Sequence, residues 1–89
     1  MTLAFPNPSR NYDETRRGVR FSGHDGVFEI TFLVEAAVLA KHQPSPKPLS
    51  EQQYLSVFDA MRTSILDVAR EVYSSHHRHA NTLSAADFR

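Results

Sequence analysis

The chain contains no cysteine and no tryptophan, and only three glycines in 89 residues. Without cysteine there is no disulfide staple, no thiolate nucleophile and no cysteine-ligated zinc. So few glycines leave no Gly-x-Gly-x-x-Gly turn and no phosphate loop, and no close acidic quartet offers itself to magnesium. An excess of one charge is missing too. Ten basic and ten acidic residues cancel, so no global field draws in DNA, RNA or anionic lipid, and only a local patch could do so. No apolar run approaches the roughly 18–20 residues of a membrane span. The opening Met-Thr-Leu-Ala-Phe-Pro has neither a basic region nor a long apolar run, so it does not read as a signal peptide. These absences predict a cytoplasmic protein with no cofactor and no membrane partner.

What is present is a compact set of fold signals. Forty per cent of the residues are hydrophobic, six of them Phe, enough for one modest core in a single domain spanning 1–89. The clearest signal runs from Val19 to Val34. Phe28, Ile30, Phe32 and Val34 alternate with Val27, Glu29, Thr31 and Leu33, which places the first set on one face of a strand. Val19 and Phe21 repeat the pattern in the preceding arm, and Asp25-Gly26 is a hairpin turn signal. A two-residue loop there pairs Phe21 with Ile30 and Val19 with Phe32, with Gly23 opposite Phe28; a four-residue loop from Gly23 to Gly26 pairs Phe21 with Phe28. Both give the same buried face because they differ by an even step. The other face carries Arg20 opposite or diagonal to Glu29, beside Val27, Thr31 and Leu33.

Around the hairpin, Leu3 and Phe5 predict a short first strand stopped by Pro6. Asp13 is placed to cap a single turn that Gly18 closes. Residues 35–42 read as a short helix with Glu35 first and Lys41 last, as the helix dipole prefers. Residues 43–49 are a Pro-rich connector. Ser50 and Gln53 form a capping box, with Leu49 and Tyr54 as its staple, and open one long amphipathic helix over 50–75. At about 1.5 Å per residue it would be roughly 38 Å long and project beyond a small sheet. Arg62 interrupts its apolar arc. Its stem is expected on the core, with its head drawn to Glu35 or Asp87; the alternative is an anion-binding guanidinium. Residues 76–89 form a tail in which Thr82 and Leu83 begin a last strand, Ser84 caps a terminal turn and Phe88 returns to the core.

The chemical readings are weak. Ser22, His24 and Asp25 are too close along one extended segment to assemble as a triad, and no nucleophile elbow accompanies them. His76, His77 and His79 lie at a helix exit rather than on one face, which does not pre-arrange a metal site. No catalytic residue and no metal ligand is assigned. The residues singled out as a candidate interaction surface are Tyr12, Asp13, Arg16, Arg17, Arg20 and Arg62.

Three separated stretches carry a resemblance: Phe5-Pro6-Asn7-Pro8-Ser9-Arg10 with Tyr12-Asp13, the Val19-to-Ala36 hairpin stretch containing Gly23-His24-Asp25-Gly26, and the closing Leu83-Ser84-Ala85-Ala86-Asp87-Phe88. In order, they resemble a family of short bacterial proteins catalogued as domain of unknown function 1488 (DUF1488). The resemblance implies a single α+β domain and brings no catalytic residues. The expected architecture is therefore a two-layer α+β fold, with a small antiparallel sheet of three to four strands covered on one face by both helices. The expected function is a non-enzymatic interaction or regulatory module, with an unidentified protein partner or a second copy of itself through the helix flank or an open sheet edge. The alternative is a nucleic-acid-binding accessory protein using Arg16, Arg17, Arg20 and the histidine tail; a small enzyme or metal protein ranks last.

Overall fold

A computed structural model describes residues 3–42 and 48–88 of the chain. The Pro-rich connector expected at 43–49 lies mostly outside the described residues. Among the described residues the fold is α+β, built on a five-stranded sheet with three helices.

Strands β3 (Gly18–Asp25) and β4 (Phe28–Glu35) form the central antiparallel hairpin. Their register pairs Phe21 with Phe32, Val19 with Val34 and Gly23 with Ile30. Neither expected pairing of Phe21 occurs, because the two-residue loop is Gly26-Val27 and the strand runs through Asp25. Gly26 has φ +63° and Val27 is not among the positive-φ residues. Positive φ is thus confined to the first loop position, as in a type II′ turn, so glycine is needed only there. The shift from the expected register is an even step, so the buried face survives: Val19, Phe21, Ile30, Phe32 and Val34 are all buried. Phe28 is the exception, 57% exposed at the tip beyond the helical cover.

The sheet is mixed rather than antiparallel, and larger than three to four strands. Strands β1 (Leu3–Ala4) and β2 (Asn11–Asp13) share the outer edge of β3, the first beside Asp25 and His24, the second beside Arg20, Val19 and Gly18. The last strand, β5 (Ala80–Leu83), lies parallel to β4 with Thr31 beside Ala80 and Val34 beside Leu83. All three helices intervene between β4 and β5, and such a long crossover permits parallel pairing where a tight turn cannot.

Helix α1 (Ala36–His42) starts one residue after Glu35, which ends β4. The rod expected over 50–75 is two helices, α2 (Glu51–Ala60) and α3 (Arg62–His76), bent at Met61 with φ −100° and ψ 8°. The start is as expected: Ser50 Oγ accepts from the Gln53 N–H at 3.2 Å, while Gln53 Oε1 accepts from the Ser50 N–H at 2.8 Å. Neither proline nor glycine stands at the bend. Instead the N-terminal connection clamps both sides of it. Arg10 donates twice to Asp59, at 2.9 and 2.8 Å, and Arg62 donates to Asp59 Oδ1 at 3.0 Å and to the Pro8 carbonyl at 3.2 Å. In its last turn α3 reaches the hairpin tip, where buried Tyr73 bonds Asp25.

One hydrophobic cluster joins the layers. Phe21, Ile30, Phe32 and Leu83 from the sheet meet Leu39 of α1, Val57 and Phe58 of α2, and Ile65, Ala69 and Tyr73 of α3. Phe21 stacks on Phe32 at 5.3 Å and meets Phe58 at 5.2 Å, a geometry worth about 0.5–1.5 kcal/mol per pair beyond burial. After β5, Ser84 and Asp87 cap a 3₁₀ turn (Ala85–Asp87), and Phe88 packs against the cluster.

Candidate functional site

Opposite the hairpin tip, the β2–β3 connection meets the starts of α1 and α2. Asp13 shapes the turn by accepting from the Arg16 N–H at 3.0 Å. Arg17 follows in the left-handed region at φ 53°, and its carbonyl accepts from the Ala36 N–H at 2.9 Å, tying the turn to α1. Gly18 is required next: a Cβ there would stand 2.5 Å from the Val34 carbonyl oxygen. The turn therefore holds Arg16 and Arg17 exposed at its outer end. Among the described residues neither guanidinium has a carboxylate within salt-bridge distance.

Beside them Tyr12 of β2 stacks on Tyr54 of α2, with ring centres 5.2 Å apart and planes 12° from parallel. The capping box fixes the first turn of α2, and with it the position of Tyr54. A cleft of about 650 Å³ opens here, lined by Tyr12, Arg16, Arg17, Glu35, Leu49 and Tyr54 among others. A second hollow of about 300 Å³ shares Tyr12, Arg17, Leu49 and Tyr54, and adds Glu14 and Glu51. Burial raises the pKa of the Tyr12 hydroxyl, and Tyr54, Glu51 and Glu14 add to it against the opposing charge of Arg17. Tyr12 is therefore a hydrogen-bonding phenol at neutral pH, not a phenolate.

Of the six residues singled out in the sequence, the fold brings Tyr12, Asp13, Arg16 and Arg17 together. Arg20 lines a different hollow, about 240 Å³, on the sheet face away from the helices, with Asn7, Asn11, Ser22, Glu29 and Thr31. It stands opposite Leu33, whereas His24 stands opposite Glu29, so Arg20 and Glu29 are neither facing nor diagonal partners. Arg62 serves the interior. Its guanidinium lies 5.0 Å from the Phe58 ring centre and bonds Asp59 and Pro8, not Glu35 or Asp87. The expected basic patch of Arg16, Arg17 and Arg20 is thus divided, and Glu14, Glu35 and Glu51 surround the part that remains.

The other chemical groupings are dispersed as well. Asp25 accepts from the Tyr73 hydroxyl at 2.6 Å, on the helix face, while Ser22 and His24 alternate onto the opposite face. His77 packs on Tyr73 at 5.4 Å and His79 on Phe28 at 5.3 Å. Among the described residues no three His, Asp or Glu side chains are grouped to hold a metal ion, and no helix is long and apolar enough to cross a membrane. Sequence reasoning missed Tyr54 as the mate of Tyr12, Arg10 as the mate of Asp59 and Tyr73 as the mate of Asp25. Each pair is separated by more than 40 positions, and no local spacing signals it.

The family model described as "Protein of unknown function (DUF1488)" matches residues 3–83. No curated protein matches the chain. Among solved structures, the crystal structure of a protein of unknown function from the DUF1488 family of Shewanella loihica PV-4 is similar, with a TM-score of 0.79 over 93% of this chain and 94% of that one. The two sequences are 18% identical, so the likeness speaks for the fold alone.

Proposed function

We propose, for a chain that belongs to the DUF1488 family, a non-enzymatic interaction module that docks a segment of another protein in the cleft beside Tyr12. The observation that carries this reading is the stack of Tyr12 on Tyr54, set between two hollows with the exposed Arg16 and Arg17 at their edge. Tyrosine and arginine are among the residues enriched at protein interfaces, because each offers apolar area and directional donors together. Glutamates flank the arginines, so the cleft suits a segment carrying an apolar group with charges of both signs rather than a uniform polyanion. The neutral chain supports the same preference over nucleic acid.

The test is a photo-cross-linking residue at position 16, with the same residue at position 74 on the exposed side of α3 as control. Cells of the native host would be irradiated and the adducts identified. The proposal expects one discrete polypeptide cross-linked at position 16, absent at 74 and lost when Tyr54→Ala is added. Cross-linking to nucleic acid instead, with affinity that falls steeply as salt rises, would replace this reading by the accessory-protein alternative.

A further inference from the structure

The far edge of the sheet offers a second surface, independent of the cleft. Among the described residues nothing pairs with the outer edge of β5, the last strand in the sheet order. Ala80-Asn81-Thr82-Leu83 carries no proline, lysine or inward charge to keep this edge from pairing. Its outward groups follow from the ladder. The Thr31 N–H donates to the His79 carbonyl at 2.8 Å, the parallel pattern that turns the N–H and C=O of Asn81 and Leu83 toward β4. The N–H and C=O of Ala80 and Thr82 consequently point away from the sheet.

We propose that this edge pairs antiparallel with the same edge of a second copy of the chain, making one continuous sheet across a two-fold axis. The outward groups select the register. Only Ala80 facing Thr82 of the second copy, and the reverse, uses both outward residues of each strand, giving four main-chain hydrogen bonds and Asn81 facing Asn81 on the axis. Just beyond the paired residues, the two-fold places the end of the strand that carries exposed Arg78 beside the end of the second copy that carries Ser84. The Asp87 carboxylate already sits at that place, 2.9 Å from the Ser84 nitrogen. Among the described residues neither Arg78 nor Asp87 has an ion-pair partner. The edge is therefore complementary to itself in charge, with the Arg78–Asp87 pair formed twice, once on each side of the axis, as a two-fold interface requires.

The absence of native cysteine gives a clean test. Facing residues of a non-hydrogen-bonded antiparallel pair have Cβ atoms about 4.5–5.5 Å apart, near enough for a disulfide with slight adjustment. The full chain carrying Asn81→Cys would be oxidised under mild conditions, and the unmodified chain examined by sedimentation across a wide concentration range. The expected results are a concentration-dependent dimer and a disulfide-linked dimer through position 81. Thr82→Pro, which removes an outward N–H, should abolish both with the circular dichroism unchanged. If Thr82→Pro does not fold, Arg78→Glu serves in its place, weakening the dimer about tenfold or more, each tenfold being 1.4 kcal/mol. A chain that remains monomeric at every concentration overturns the proposal. A dimer that forms while position 81 fails to cross-link overturns it equally, since the contact then lies elsewhere.

Discussion

Tyr73, in the last turn of α3, donates its hydroxyl to the Asp25 carboxylate at 2.6 Å and so ties the third helix to the tip of the hairpin. The two residues are 48 positions apart in the chain. This bond raises the pKa of the tyrosine, with burial and the negative charge of Asp25 adding to it. The pKa of Tyr12 is raised as well, chiefly by burial. For both, the folded state favours the neutral phenol. Their contribution is intact below the unfolded tyrosine value of about 10 and is lost as pH rises through the higher folded values. Thermal unfolding followed between pH 8 and 12 should show the melting temperature falling above about pH 10. Tyr73→Phe should start from a lower plateau and fall less steeply; an unchanged slope would remove Tyr73 from the account.

Asp59 sets the opposite limb. Its hydrogen bond from Arg10, reinforced by Arg62, holds the carboxyl below the usual carboxylate range. A depressed folded pKa stabilises above the unfolded value and is lost as pH falls through the folded one. The wild-type chain should therefore lose stability below about pH 4 more steeply than Asp59→Asn. Raising salt at neutral pH should narrow the gap between the two only modestly, because two of the contacts are charge-assisted hydrogen bonds from a single guanidinium.

Phe28 and Phe32 lie on the same strand face with Ile30 between them, yet their substitutions should differ widely. Phe32 is 1% exposed and packed against Phe21, so Phe32→Ala should cost about 3–5 kcal/mol in denaturant unfolding. Phe28 is 57% exposed and meets His79 at the hairpin tip, and Phe28→Ala should stay within about 1 kcal/mol. Similar losses at both positions would mean the tip is covered.

Gly18 is needed for space. Gly18→Ala forces a methyl group toward the Val34 carbonyl oxygen, a backbone atom that cannot swing aside. The expected cost is about 1–3 kcal/mol, with the β2–β3 turn, and hence Arg16 and Arg17, displaced. Amide chemical shifts of residues 12–17 and 36–38 would report that displacement.

Ser50→Ala removes the side-chain acceptor for the Gln53 N–H and should cost about 1 kcal/mol. Loosening the first turn of α2 should also free Tyr54 from Tyr12, visible as faster ring flipping of both tyrosines.

Much of the fold was legible in local chemistry. The alternation from Val19 to Val34 determined a buried face, and an even register error could not disturb it. Ser50 and Gln53 determined where the second helix begins, because a capping box is complete within four residues. Ser84 did the same for the final turn, and of the six residues singled out for the surface four do converge. Everything that depends on partners distant in the chain was decided only in three dimensions. The Arg10–Asp59–Arg62 clamp at the Met61 bend, the parallel docking of β5 and the stacking of Tyr12 on Tyr54 have no signature in spacing. Sequence period reports which side of an element is apolar; which surfaces then meet is settled by how the whole set of apolar sides can be buried at once.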